Sequence, residues 1–99
     1  MRIEISEYAS LQIEAIWEYH AKAVSDAVAD RITSKILDDL ELLQGYPGGG
    51  QVEPLLDHLE LGHRRLVSGH YKIVYRIIDD VLFVADVFDS RQSPEKMAW

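Results

Sequence analysis

The sequence predicts a single α+β domain over residues 1–99, with a helical hairpin packed against an antiparallel sheet in the order βααβββ. Three observations carry this. Apolar residues between Glu7 and Leu43 recur at helical spacing, and residues 64–88 read as strands joined by tight turns. The stretch "QGYPGGG", residues 44–50, separates the two halves.

"RIEIS" opens the chain with Ile3 and Ile5 on one side and Arg2, Glu4 and Ser6 on the other, the alternation of a short strand with one buried face. Ser6 then suits the N-cap of a helix over 7–23, on which Ala9, Ile13, Ile16, Trp17 and His20 fall on one face. A single helix to Leu43 would be unusually long for so small a domain. Ser25 as a second N-cap, with Asp26 at the positive helix end, predicts a break and a second helix over 26–44. Val28, Ile32, Ile36, Leu40 and Leu43 form its apolar face. Gly45, Pro47 and the three glycines that follow stop the helix. A phosphate-cradling loop would need a strand before it and a helix after it. This stretch follows a helix and reads as a connector.

"HRRLV" is the next strand, and Ser68-Gly69 suits a two-residue hairpin turn. "YKIVYRII" places Tyr71, Ile73, Tyr75 and Ile77 on one face and Lys72, Val74, Arg76 and Ile78 on the other. Asp79-Asp80 makes a second tight turn without a glycine. "VLFVADVF" is the near-continuous apolar run of a strand buried on both faces. Ser93-Pro94-Glu95 resembles the start of a short helical turn.

Composition removes several function classes. With no cysteine, the chain has neither disulfides nor thiolate metal sites, as suits a reducing cytoplasm. No apolar run reaches the roughly 20 residues of a membrane helix, and the first residues lack a signal peptide's apolar region, so a soluble, cytoplasmic protein is expected. The formal charge is −7, a poor match to generic nucleic-acid binding. The charge is uneven: residues 1–60 hold twelve acids and four cations, whereas residues 61–99 hold six cations and five acids.

Most candidate chemistry falls away. His20, His58, His63 and His70 show no metal-ligand spacing, so no metal or other cofactor is expected. No GxSxG or paired serine and histidine suggests a nucleophile. Asp38-Asp39 and Asp79-Asp80 are adjacent pairs, and Asp86 and Asp89 are expected to face opposite sides of a strand. What remains is "GHRRLVSGHYKIVYRI", residues 62–77, with four cations and no acid. Arg65, Lys72 and Arg76 are expected to share a strand face, with Arg91 near the edge. Such a face suits a phosphate or other anionic partner, or else salt bridges to the acidic helices.

"ISEYASLQIEAIWEY", "YPGGGQ" and "GHRRLVSGHYKIVYRIIDDVLFVADVFDSRQSPEK" together resemble the RelE/ParE family, toxins of bacterial type II toxin–antitoxin (plasmid-stabilisation) systems. The resemblance implies the same βααβββ fold. In the RelE branch, a ribosome-dependent endonuclease cuts mRNA by attack of the 2′-OH on the neighbouring phosphate. The resemblance puts Arg65, Lys72 and Arg91 on cationic, catalytic positions of that branch. His63 stands where the nuclease has a lysine and would be its substitute acid or base. Met97 stands where it has a catalytic tyrosine, a thioether cannot transfer a proton, and Trp99 offers no replacement. The ParE branch instead inhibits DNA gyrase and needs no such tyrosine, and "IWEY" and "YPGGGQ" resemble that branch more. The resemblance thus implies a ParE-like, non-enzymatic toxin, with a ribonuclease or a degenerate, non-toxic binding module as alternatives. It implies a cognate antitoxin as partner, gyrase or the ribosome and mRNA as target, and operator DNA only through the antitoxin.

Overall fold

The computed structural model describes residues 1–53 and 59–91. Strand β1 (Arg2–Ile5) leads into helices α1 (Glu7–Ala23) and α2 (Asp26–Gly45). A single 3-10 turn, Pro47–Gly49, precedes β2 (Gln51–Val52), and β3 (Arg64–Ser68), β4 (Tyr71–Ile78) and β5 (Val81–Asp89) follow. Pro54, His58, Ser93–Glu95, Met97 and Trp99 lie outside the described residues.

Both helix starts are set by serine. Ser6 Oγ accepts from the Ala9 amide at 3.0 Å, and Ser25 Oγ accepts from the Val28 amide at 3.2 Å. Each satisfies one of the amides that a helix start leaves without an intrahelical partner. At the hairpin, Val24 and Ser25 leave the helical conformation without a glycine or proline between them. The Trp17 indole N–H donates to Asp30 at 2.7 Å and ties the two helices together near that bend.

The five strands form one sheet in the order β1-β5-β4-β3-β2. Two features correct the expected antiparallel meander. First, β1 pairs with β5 in parallel, Arg2 opposite Val81 through Ile5 opposite Val84. Both helices and strands β2, β3 and β4 lie between them in the chain, so no tight turn forces this pair to run antiparallel. Second, Gln51 and Val52 add an edge strand against Arg65 and Arg64. The first hairpin turn also shifts by one residue. Ser68 pairs with Tyr71, so Gly69-His70 make the turn, with Gly69 at φ +60°. A left-handed first turn position selects glycine there. Asp79-Asp80 turns as expected, Asp79 taking the left-handed conformation at φ +53°.

The helices cover one face of the sheet. Ala9, Ile36, Leu40 and Leu43 pack against Tyr71, Ile73, Tyr75, Leu82, Val84 and Val87. Each fully buried Leu or Ile side chain there contributes about 1.5–3 kcal/mol of transfer free energy. The alternation of β5 would fail midway, because Val84 and Val87 both face the helices. A bulge at Ala85 resolves this: Val74 pairs with Asp86, but Tyr75 already pairs with Val84. The opposite face carries a smaller cluster of Val74, Phe88 and Leu59. β5 is thus covered on both sides along its second half, as its sequence suggests.

Candidate functional site

The outer face of the hairpin holds the expected cations. Arg65 lies opposite Val74 on β3 and Lys72 lies on β4 opposite Val67, so both share a face with Arg76. Arg65 and Lys72 both meet an acid of the chain itself. Glu53, which directly follows β2, is fully buried beneath them. Its Oε2 lies 3.2 Å from Lys72 Nζ and 3.6 Å from Arg65 Nη1. The Glu53 amide donates to the His63 carbonyl at 3.0 Å, which extends the β2–β3 ladder and fixes the carboxylate's approach. Lys72 Nζ also lies 5.8 Å from the centroid of the Phe88 ring. One internal carboxylate therefore compensates two cations in a largely desolvated setting.

His63 is buried immediately before β3. Burial lowers its pKa, and the charge of Arg76 lowers it further, so the ring is neutral at pH 7. Arg76 itself donates from Nε to the Leu61 carbonyl at 3.0 Å.

Arg91 is not brought to this cluster. It forks onto Asp89, with Nε at 3.0 Å from Oδ1 and Nη2 at 2.9 Å from Oδ2. The hydrogen bond from Arg91 holds the Asp89 carboxyl below its usual range. Asp89 lies opposite Tyr71 and Asp86 opposite Val74, so those two acids face opposite sides as expected. Arg91 lines two hollows on the helix-covered side. One, about 300 Å³, lies between α1 and the end of β5; the other, about 270 Å³, lies between α1, α2 and the β3–β4 turn. Tyr71 and Arg91 border both. Tyr71 Oη is 2.7 Å from His20 Nε2, so this helix histidine has a polar partner within the core edge. Burial raises the Tyr71 pKa, with Asp89 adding to the effect.

The glycine-rich connector has a defined role. Tyr75, buried in the centre of β4, donates from its hydroxyl to the Pro47 carbonyl at 3.0 Å and accepts from the Gly50 amide at 3.1 Å. A Cβ on Gly50 would overlap Tyr75 Oη and lie 2.6 Å from the Arg65 carbonyl. The loop therefore holds β2, and with it Glu53, against the hairpin.

Sequence reading found Arg65 and Lys72 but missed Glu53, because the pairing crosses between segments with no helical or strand periodicity between them. The one local signal is an acid isolated among apolar residues in "QVEPLL". Among the described residues no three histidines, aspartates or glutamates could hold a metal ion, and no helix is long and apolar enough to cross a membrane.

The architecture is a helical hairpin on a five-stranded mixed sheet, with β1 as the edge strand beside β5. The chain belongs to the ParE toxin family of type II toxin–antitoxin systems, whose model matches residues 3–94. A chain of the chromosomal ParDE toxin–antitoxin system from P. aeruginosa has the same fold. The TM-score is 0.75 at 15% identity, covering 90% of this chain and 95% of that one. No curated protein matches significantly.

Proposed function

We propose that this toxin inhibits DNA gyrase without cleaving RNA and is neutralised by a cognate antitoxin. The observation that carries this reading is the closure of Lys72 and Arg65 on buried Glu53. A nuclease needs cations free to stabilise the charge that develops on a phosphorane. Both cations already face a carboxylate of the chain itself, which supports the non-catalytic reading. Arg91 is committed to Asp89, and His63, the substitute acid or base, is buried rather than presented. A gyrase inhibitor needs none of these groups free. The antitoxin would supply a segment that is disordered alone and folds along the toxin surface.

Induced expression with two readouts in the same cells tests this. A DNA-damage response with intact mRNA is expected, and purified protein is expected to block supercoiling by gyrase. Translation arrest with codon-positioned mRNA cuts would instead establish the ribonuclease reading. In that case alanine at Arg65, Lys72 and Arg91 together would abolish toxicity.

A further inference from the structure

The sheet ends in β1, which among the described residues has a strand on one side only, β5. The Arg2 amide donates to the Asp80 carbonyl at 3.1 Å and the Ser6 amide to the Val84 carbonyl at 2.9 Å. Main-chain groups alternate in direction along a strand. Arg2, Glu4 and Ser6 therefore turn theirs to β5, and Ile3 and Ile5 turn theirs to the open edge. Nothing among the described residues bonds to the Ile3 or Ile5 main chain there. The Met1 carbonyl, on the same side, accepts from a side chain, Gln44 Nε2 at 2.7 Å.

The side chains of β1 alternate as well. Ile3 packs against the core under the helices, and Ile5, on the same face, is 37% exposed. Arg2 and Glu4 stand on the other face, with Arg2 Nη2 2.9 Å from Glu4 Oε1 and both side chains largely exposed. This strand is self-complementary under a half-turn. With a second β1 laid antiparallel and Ile3 opposite Ile3, the open amide and carbonyl of each Ile3 meet those of the other. Ile5 then falls opposite Met1, and Arg2 falls opposite Glu4 of the second copy. The four charges form a square of alternating sign, each opposed Arg–Glu pair having its Cα atoms about 4.5 Å apart. At the opposite end of the sheet, β2 offers only Gln51 and Val52 and no such pattern.

We propose that β1 is the contact surface for a second copy of this chain, the two sheets joining edge to edge across Ile3. An open strand edge specifies an extended main chain as its partner, and the charges beside it specify an acid opposite Arg2 and a base opposite Glu4. β1 itself supplies both in that order. It also lacks the proline, bulge or inward-pointing charge that keeps edge strands apart. A formal charge of −7 repels a second copy at a distance. At physiological salt that repulsion is screened beyond about 8 Å, within which the Arg2–Glu4 contacts lie. The edge is short, so the dimer belongs among weak, transient contacts. It depends on neither the toxin's target nor its antitoxin.

Sedimentation velocity of the full chain at physiological salt, from micromolar to millimolar concentration, is expected to show monomer giving way to dimer. Arg2→Glu and Glu4→Arg each set like charges opposite one another, and each is expected to weaken the dimer roughly tenfold or more. Mixed in equal amounts, the two variants are expected to form a heterodimer about as tight as the parent, since every opposed pair again has opposite signs. Both side chains are exposed, so circular-dichroism spectra and melting temperatures are expected to match the parent. The Ile3 and Ile5 amides are expected to exchange rapidly in dilute protein and to gain protection as the dimer forms. A chain that stays monomeric to millimolar concentration overturns the proposal. So does a dimer that neither reversal weakens, or a pair of variants that mixing does not reunite. Ile3 and Ile5 amides protected at every concentration would place another segment of the same chain on the edge, and also overturn it.

Discussion

Replacing Glu53 by glutamine keeps the side chain's shape and removes only its charge. Glu53 is fully buried, and the Lys72 and Arg65 side chains retain 12% and 27% of their exposure. At an effective dielectric near 20, each contact at these distances carries a gross attraction of ~5 kcal/mol. Desolvating three charged groups offsets most of it, so the pair contributes much less in net terms. Deleting the acid is another matter. It leaves Lys72 nearly enclosed without its partner at 3.2 Å, and breaking a buried pair in this way costs about 3–5 kcal/mol. Glutamine still accepts one hydrogen bond, so the low end, about 3 kcal/mol, is expected. For a domain of this size that is a fall in Tm of roughly 12–24 °C. Urea unfolding at pH 7 measures it, and Lys72→Met in the same background completes a double-mutant cycle. The coupling is expected to exceed about 1 kcal/mol, because methionine removes the stranded charge. A loss below about 0.5 kcal/mol for Glu53→Gln, or coupling near zero, would refute the internal counter-ion.

Gly50→Ala is expected to lose about 2–3 kcal/mol, because the added Cβ meets Tyr75 Oη and the Arg65 carbonyl, and strand backbone cannot yield cheaply. Thermal melts check it, with Gly48→Ala as a control, since a Cβ there meets nothing within 4 Å. Asp79→Val is expected to cost about 1–2 kcal/mol, since a β-branched residue resists the left-handed turn at φ +53°. Asp79→Gly should stay within about 0.5 kcal/mol of the parent, relief of strain being offset by a freer unfolded chain. Stability should also fall as the pH drops below His63's ordinary value of 6.5. Burial and Arg76 lower the folded-state pKa, so the unfolded chain takes up the proton first. The slope approaches about 1.4 kcal/mol per pH unit between the two values. Asp89 acts in a separate window: its contribution is present above the unfolded value of 3.8 and is lost as the pH falls through its lowered folded value. Urea midpoints from pH 7 to pH 5 isolate the histidine, and His63→Gln should flatten them.

Those elements whose cause is local were legible in the sequence. Ser6 and Ser25 fix both helix starts through side chains a few residues from their targets, and the helices begin where the caps imply. The alternation of β4 put Tyr71, Ile73, Tyr75 and Ile77 on one face, and the first three of these pack under the helices while Ile77 is exposed. What depended on distant partners was hidden. The parallel pairing of β1 follows from where the crossover ends, and the bulge at Ala85 reconciles two registers that neither strand reveals alone. Lys72 and Arg65 were found as charges, but their meaning changed when Glu53 arrived from another segment. Arg91, grouped with them by resemblance, turned away because the neighbouring Asp89 offers two oxygens at fork spacing.

Cations on both faces of the sheet meet acids of the chain, but only on the outer face is that acid fully buried, and the difference bears on function. On the outer face an arriving phosphate must compete with a carboxylate held by the chain itself, whose effective concentration is of millimolar order or above. Glu53 would have to leave a buried position and take the β2 edge with it. Substitutions at Lys72 and Arg65 should thus act mainly through folding, and substitutions at Arg2 and Glu4 through association. Toxicity lost on changing Lys72 says nothing about catalysis until the variant's stability is known. The same loss in a variant that melts like the parent would mean that Lys72 meets the target directly.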